Sequence, residues 1–173
     1  WMLRPRPLPW GRACATEWLM SDFKTQAQKA EAAMRDVFPP TPLQKNVHLS
    51  ERFGADIYLK REDLSPVRSY KIRGAYNAMR KQPDKELFVC ASAGNHAQGV
   101  ALAAQDFGVP AVILMPSDTP RLKVENTRSY GAEVVFFDRA TDDRDAICDE
   151  LAKARELTLV RPFDDPEVIA GQG

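Results

Sequence analysis

The sequence predicts an α/β protein in which an open parallel sheet carries helices on both faces. Four short apolar runs are centred on Val89, Ile113, Val135 and Leu159, which lie 24, 22 and 24 residues apart. Each gap between two runs has helical character. The runs are apolar at consecutive positions, which is typical of strands buried on both faces. A helical bundle with stray apolar runs fits less well, so we expect alternating strands and helices around one sheet.

The first half of the chain predicts three helices and one strand. Residues 22–37 are rich in strong helix formers, and Pro39 follows them as a stop signal. Residues 50–53 indicate a short helix, and residues 56–60 indicate a strand. Residues 71–81 form the third predicted helix, because their apolar side chains recur at intervals of three and four residues.

The second half predicts strands separated by helices. The four strands are residues 87–91, 111–115, 133–137 and 158–160. In the first helix Ala97, Val100 and Ala104 share one face. The second helix ends before Gly131, a residue suited to the left-handed C-terminal position. Thr141 is the expected N-cap of the third helix.

Composition limits the function classes. The 173 residues are 44% apolar and 28% charged, which is typical of a globular protein. Lys and Arg number 24, as do Asp and Glu, so we expect no nucleic-acid partner, because such binders usually carry a basic excess. No apolar run approaches the ~18 residues that span a bilayer, so we expect no membrane partner. Cys14, Cys90 and Cys148 form no C-x-x-C pair, so we expect neither a disulfide framework nor a zinc site. Few, unpaired cysteines are typical of proteins in the reducing cytoplasm, where we expect this one.

Both ends of the chain differ from its middle. Residues 1–19 are rich in Pro, Arg and Trp and show no period, and Met20 would make a natural start. We therefore expect residues 1–19 to be an extension, with a disordered arm or a transit-like segment as the alternative. Residues 170–173 end the chain without a closing element, so we expect a C-terminally truncated piece of a larger protein.

A polar turn directly after the first strand of the sheet is the first candidate site. Common nucleotide, zinc-protease and serine-hydrolase motifs are absent from the sequence. Residues 92–99, S-A-G-N-H-A-Q-G, offer backbone N–H groups and the positive end of a helix dipole at the carboxyl edge of the sheet. These groups suit a carboxylate or a phosphate. An ordinary strand-to-helix loop, with Gly94 in the turn and Ser92 or Asn95 as the cap, is an equally good alternative.

The second candidate is Lys71 in the segment S-Y-K-I-R-G-A, residues 69–75. It lies at the start of a predicted helix, where the dipole and the charges of Arg68 and Arg73 favour the neutral amine. A neutral amine is a nucleophile that can bond covalently to a carbonyl compound. Most lysines are solvated surface residues, and from the residues alone that simpler interpretation of Lys71 is the stronger one.

Together and in this order, the two segments resemble those of pyridoxal-phosphate enzymes of the tryptophan-synthase-β fold type (fold type II). Specifically, they are similar to the threonine dehydratase (threonine ammonia-lyase) branch. Further matching segments are T-P-L at 41–43, Y-L-K-R-E-D at 58–63, P-F-D-D-P at 162–166 and A-G-Q-G at 170–173. The similarity covers residues 39–173, whereas residues 1–19 match nothing in the family.

The resemblance implies an activity, a cofactor and residue roles. The activity is deamination of L-threonine, or L-serine, to 2-oxobutanoate or pyruvate and ammonia, the first step toward isoleucine. Lys71 would hold pyridoxal 5′-phosphate covalently and act as the base at the substrate α-carbon. Asn95 would bind the 3′-oxygen of the cofactor, and Ser92, Gly94, Asn95 and His96 would grip the substrate carboxylate. The expected partner is a small amino acid, and the full-length protein is expected to be a homo-oligomer.

Departures from the family pattern bear on the function. Racemase relatives usually carry a serine at the position of Ala93, as the base for the opposite face, so Ala93 favours a dehydratase over a serine racemase. Tyr70 stands where Phe is common. The nine glycines include no glycine-rich phosphate loop, so we expect the piece alone to be inactive. A catalytically incomplete fragment or an anion-binding module is the alternative function.

The resemblance also divides the chain into domains. Residues 20–86 correspond to the N-terminal part of the large cofactor domain, and residues 87–165 to most of the small α/β domain. Residues 166–173 correspond to the return into the large domain, and residues 1–19 stay unmatched.

Overall fold

A computed structural model describes residues 23–82 and 86–173, so the extension expected at residues 1–19 lies outside the described residues. The helices are α1 (Phe23–Met34), α2 (Val47–Phe53), α3 (Lys71–Arg80), α4 (Asn95–Phe107), α5 (Arg121–Ser129), α6 (Arg144–Ala154) and α7 (Pro166–Gln172), with a 3-10 turn at Glu62–Leu64. The strands are β1 (Leu43–Lys45), β2 (Tyr58–Lys60), β3 (Phe88–Ala91), β4 (Ala111–Pro116), β5 (Glu133–Phe137) and β6 (Thr158–Leu159). No helix within the described ranges is long and apolar enough to cross a membrane.

Strands β3 to β6 form a parallel sheet in the order β5-β4-β3-β6. Successive side chains alternate between its two faces. Phe88 and Cys90 of β3 lie in one core with residues of α4 and α5, while Val89 lies in a second core with Cys148 of α6. The predicted fold class, an open parallel sheet with helices on both faces, is therefore confirmed.

The N-terminal part adds a small antiparallel pair and a group of packed helices. β1 pairs with β2, with Leu43 opposite Lys60. The apolar face of α3 is fully buried at Ile72 and Met79, and α3 contacts both α4 and α7. This packing joins the start of α3 to the parallel sheet, because α4 covers the same sheet.

The structure tests two predictions about helix ends, the glycine after α5 and the N-cap of α6. Gly131, after α5, has the left-handed conformation expected of it, with φ of 83°. Thr141 is not the N-cap of α6; Asp143 is, and its carboxylate accepts hydrogen bonds from the N–H groups of Asp145 and Ala146. The reason is geometric, since an N-cap must directly precede the first helical residue, and the Thr141 hydroxyl instead donates to Asp142.

Helix α7 occupies residues to which the sequence assigned no element. Pro166 stands in its first turn, and the Asp165 carboxylate caps its N–H groups. Gly171 lies so close to α3 that an added Cβ would be 2.5 Å from the Arg73 carbonyl oxygen. The end of the chain is therefore in backbone contact with the helix that begins at Lys71.

Candidate active site

The turn at residues 92–94 lies at the carboxyl edge of the parallel sheet. β3 ends at Ala91, and the Ser92 N–H donates to the Leu114 carbonyl at 3.0 Å, which keeps the turn beside β4. The Gly94 N–H donates to the Ser92 hydroxyl at 3.3 Å. The turn then leads into α4, so the expected anion-binding segment has the position that the sequence predicts for it.

The first turn of α4 has no side-chain cap. Gly94 is its N-cap residue, whereas Asn46, Asp143 and Asp165 cap α2, α6 and α7 with side-chain oxygens. The N–H groups of a first helical turn have no partner inside the helix. With Asn95 exposed at this end, the start of α4 can offer hydrogen bonds to a bound anion.

Lys71 is the first residue of α3, as predicted, and its side chain is half-buried. Its amine donates to the Pro162 carbonyl at 2.9 Å and lies 5.4 Å from the centroid of the Tyr70 ring. Among the described residues no carboxylate pairs with this amine. Its one hydrogen-bond partner is uncharged, so the amine is not locked in an ion pair.

Two contacts place the start of α3 near the start of α4, one directly and one through the segment after β6. A Cβ added to Gly99 would lie 3.2 Å from the backbone of Lys71 and Ile72, so the absence of a side chain at Gly99 helps the two helices to approach this closely. His96 Nε2 lies 3.1 Å from the Val160 carbonyl, two residues before the partner of Lys71. The structure thus ties Lys71, the turn and the segment after β6 into one junction.

His96 is buried at this junction, with 3% of its surface exposed. Burial lowers its pKa to about 4, the hydrogen bond with Val160 opposes that shift, and the charge of Lys71 adds to it. The ring is therefore neutral near pH 7. A neutral ring that donates from Nε2 to a carbonyl leaves Nδ1 as an acceptor, and Nδ1 is buried without a partner among the described residues.

A buried ion pair supports α3 just behind Lys71. Arg73 donates to both Glu62 oxygens, at 2.9 and 3.0 Å, and the Thr41 hydroxyl donates to Glu62 at 2.6 Å. Burial alone would raise the pKa of the Glu62 carboxyl, but the bonds from Arg73 and Thr41, with the charges of Arg73 and Lys60, keep it below its usual value. This two-point pairing fixes the orientation of the first turn of α3.

The structure adds one residue that sequence reasoning missed. Lys123 lies in the first turn of α5, and its amine is 3.4 Å from Asn95 Oδ1. Its position follows from the pairing of β3 with β4, because the carboxyl ends of the two strands share one edge and the helices that follow them begin side by side.

A separate hollow of about 390 Å³ lies on the α6 side of the same turn. Its lining includes Ser92, Arg139 and Arg144, but not Lys71. Both arginines are already paired, Arg139 with Asp118 and Arg144 with Asp145. No cluster of His, Cys, Asp or Glu within the described part of the chain is placed to hold a metal ion.

Comparison with known proteins shows the protein family to which the chain belongs. The family described as "Pyridoxal-phosphate dependent enzyme" matches residues 34–173, so the chain belongs to this family. Within it, the chain is 51% identical over 141 residues to "Threonine dehydratase 1 biosynthetic, chloroplastic" of Solanum lycopersicum. It is 46% identical over 151 residues to a biosynthetic L-threonine dehydratase of Bacillus subtilis. These stretches cover 80% and 84% of this chain but 23% and 36% of the relatives, so the chain spans about a quarter to a third of their length.

Solved structures of pyridoxal-phosphate enzymes also share the fold of this chain. The processed form of threonine deaminase isoform 2 from Solanum lycopersicum superposes with a TM-score of 0.79 at 39% identity, over 88% of this chain and 43% of that one. Maize serine racemase superposes with a TM-score of 0.80 at 29% identity, over 85% of this chain and 46% of that one. The fold is therefore shared by a deaminase and a racemase.

The residues at the junction fit pyridoxal phosphate chemically. Lys71 supplies a primary amine that has no acidic partner among the described residues. Such an amine can bond covalently to the aldehyde of pyridoxal phosphate. Asn95 presents an exposed amide, and the first turn of α4 presents uncapped N–H groups. The unpartnered, buried Nδ1 of His96 is a further polar atom that a bound group or a water could satisfy.

Proposed function

We propose that the complete protein containing this chain, called the complete protein below, deaminates L-threonine to 2-oxobutanoate and ammonia. L-Serine would give pyruvate in the same way, and the reaction would be the first step toward isoleucine. The observation that carries this proposal is the junction of Lys71 with the 92–96 turn, formed by contacts at Gly99 and His96. The names of the relatives, which are biosynthetic threonine dehydratases, support the substrate.

Each residue of the junction has a role in this proposal. Lys71 holds the cofactor through its amine and afterwards moves the proton at the substrate α-carbon. The Asn95 amide donates to the ring oxygen of the cofactor, and Ser92, Gly94, Asn95 and His96 hold the substrate carboxylate at the start of α4. His96 does so through its backbone N–H, because the free Nδ1 of its ring is an acceptor. Pyridoxal phosphate, when bound, supplies the electron sink that stabilises the charge left at the α-carbon. The substrate then loses its β-hydroxyl as water, and a second water releases ammonia, so that threonine gives 2-oxobutanoate and ammonia in balance.

Two other functions are the alternatives. Serine racemization is favoured by the structural likeness to the maize enzyme, but Ala93 carries no hydroxyl that could serve as a base at this turn. An anion-binding module would use only the uncapped start of α4. The amine of Lys71, which has no acidic partner among the described residues, favours the enzyme over the module, because anion binding needs no such nucleophile.

We also propose the domain division, the compartment and the assembly. Residues 87–165 form the small domain, since the parallel sheet spans 88–159. Residues 20–86 and 166–173 belong to the large domain, a division supported by the contacts of α7 with α1 and α3. A cytoplasmic homo-oligomer stays our expectation; Cys90 and Cys148 are free thiols, although some eukaryotic relatives are named chloroplastic or mitochondrial.

Borohydride reduction tests the proposal directly. The complete protein loaded with pyridoxal phosphate is reduced, digested and mapped, and the pyridoxyl group should be on Lys71. Label on Lys60 or Lys123 would contradict the assignment of Lys71. Formation of 2-oxobutanoate from L-threonine separates the dehydratase from the racemase, which would give D-serine from L-serine. A protein that takes up no cofactor but still binds phosphate would instead be the anion-binding module.

A further inference from the structure

Lys123 contacts the candidate site from outside both of its motifs. Its amine is 3.4 Å from Asn95 Oδ1. It would also lie 3.8 Å from a Cβ at Gly94, so it borders the turn at two consecutive residues. Its helix is held in this rotation by Val124 and Thr127, which are buried against the core. The position of Lys123 is therefore set by packing of α5.

The charge of Lys123 is not neutralised by a side chain. Among the described residues, no carboxylate forms an ion pair with Lys123, whereas Arg121 on the same helix pairs with Glu125. Lys123 as a residue is partly buried, but its amine meets Asn95 at the solvent-exposed start of α4, where the potential is already positive. Two positive features side by side repel each other, so the arrangement is favourable when an anion is bound between them.

The contact also decides which way the Asn95 amide points. An ammonium group has three donors and no acceptor, so it faces the amide oxygen and never the NH₂ group. Oδ1 is indeed the Asn95 atom that accepts from Lys123. Nδ2 is then turned away from Lys123 and is available as a donor to another group. Without Lys123 the amide could turn by 180° and present an acceptor there instead.

We propose that Lys123 is a positioning residue of the cofactor site, which fixes the Asn95 amide as a donor toward the ring oxygen of pyridoxal phosphate. This inference rests on the proposed function, since that assigns the ring oxygen to Asn95. Lys123 acts through Asn95, whose amide then donates to an oxygen that is anionic in the bound cofactor. Its loss weakens cofactor binding and changes the electronic state of the ring.

The test uses variants of the complete protein that are stripped of cofactor and titrated with pyridoxal phosphate. Lys123→Met keeps the alkyl chain and removes the donor and the charge. It should raise the cofactor Kd about tenfold, as expected when the Asn95 amide no longer donates to the anionic ring oxygen, and should change the ratio of the two visible absorbance bands. Lys123→Arg should restore most of both properties. Arg121→Met, which removes the same charge from the same helix, should leave both unchanged.

A double-mutant cycle separates positioning from direct binding. In an Asn95→Ala background, Lys123→Met should have little further effect on the Kd or the spectrum. A full additional effect there, or a wild-type Kd in Lys123→Met alone, would overturn the inference while the proposed function stands. A wild-type protein that binds no pyridoxal phosphate would overturn both. Lys123→Leu, which also removes the donor and the charge, provides the same comparison if Lys123→Met does not fold.

Discussion

Lys71 keeps its reactive atom available because the hydrogen-bond acceptor that it meets among the described residues is uncharged. The Pro162 carbonyl accepts from the amine at 2.9 Å, and breaking such a neutral contact costs much less than separating a buried ion pair. Arg73, two residues further on, is instead held by Glu62 in a two-point ion pair. At this helix end Arg73 is fixed and stabilises the fold. The Lys71 amine, in contrast, can leave the Pro162 carbonyl and take part in the proposed bond to a cofactor.

Lys71→Ala in the complete protein should abolish 2-oxobutanoate formation from L-threonine and leave the fold intact. The variant loses the proposed cofactor anchor and α-proton base, but among the described residues it removes one hydrogen bond to a neutral acceptor, worth about 1 kcal/mol of unfolding free energy. Urea unfolding and a 2-oxobutanoate assay measure the two effects separately. Lys153→Ala, at an exposed position on α6, should retain full turnover. Substantial turnover by Lys71→Ala would show that another residue carries the chemistry.

His96 should make the stability of the complete protein fall in mild acid. Its pKa is about 4 in the folded chain against an ordinary value of 6.5, so the unfolded chain binds the proton first. The associated stability is present above pH 6.5 and is lost as the pH falls toward 4, by about 3 kcal/mol. Unfolding free energies across this window should therefore decline less steeply in His96→Gln than in the wild type. His48→Gln, at an exposed site on α2, is the control and should keep the wild-type slope; equal slopes for all three proteins would contradict the prediction.

At the scale of elements, two glycines set how closely helices approach α3. A Cβ at Gly99 of α4 would lie 3.2 Å from backbone atoms of Lys71 and Ile72, a contact that a small shift can relieve. A Cβ at Gly171 of α7 would lie 2.5 Å from the Arg73 carbonyl and 2.7 Å from Asn77 Cβ, which no small shift relieves. The α3–α7 contact is therefore a matter of stability, whereas the α3–α4 contact controls the position of Lys71.

The two alanine variants should consequently have different effects. Gly171→Ala should lower the unfolding free energy by about 2 kcal/mol, because overpacking outweighs the gain in helix propensity. Gly99→Ala should change the unfolding free energy by less than about 1 kcal/mol, because the cost of overpacking and the gain in helix propensity nearly offset each other. It should nevertheless lower kcat, because it moves the Lys71 backbone. Chemical unfolding and steady-state kinetics of the complete protein measure both, with Gln105→Ala at an exposed position of α4 as the control. Equal stability losses in the two glycine variants would contradict this distinction.

The sequence predicted elements better than their arrangement. Strands β3 to β6 were found because strands covered on both faces are continuous apolar runs, and this signal is local. The order β5-β4-β3-β6 was not predicted, because an apolar run shows that a strand is buried and not which strand it pairs with. The N-cap was misassigned to Thr141 because several residues before α6 could serve as a cap, and only the backbone path selects Asp143.

The candidate site shows the same limit. The 92–96 turn and Lys71 each lie in a motif of consecutive residues, so the sequence alone could identify both. Lys123 was missed as a site residue, because its contact with Asn95 joins residues 28 positions apart and depends on the rotation of α5. That rotation follows from the burial of Val124 and Thr127, which is a property of packing and not of the local sequence.

At the scale of the whole molecule, exposed apolar side chains concentrate in one stretch of the chain. Leu43, Val47, Phe53, Tyr58 and Leu64, all within residues 43–64, are between 52% and 67% exposed. The parallel sheet, by contrast, has fully buried residues on both faces, such as Val89 and Ile113. Exposed apolar side chains favour association in water, so within the described part of the chain residues 43–64 are the least suited to solvent.

Residues 1–173 produced alone should therefore be poorly soluble and should not turn over L-threonine. They contain the amine of Lys71 and the Asn95 turn, but their nine glycines include no glycine-rich run of the kind that the family uses to bind the cofactor phosphate. A phosphate without such donors forfeits several charge-assisted hydrogen bonds, each worth roughly 1.5–3 kcal/mol. A cleft open to water would also fail to protect the charge at the α-carbon. The purified polypeptide, given pyridoxal phosphate and L-threonine, should form no 2-oxobutanoate while the complete protein does; comparable turnover by both would show that these 173 residues suffice for catalysis.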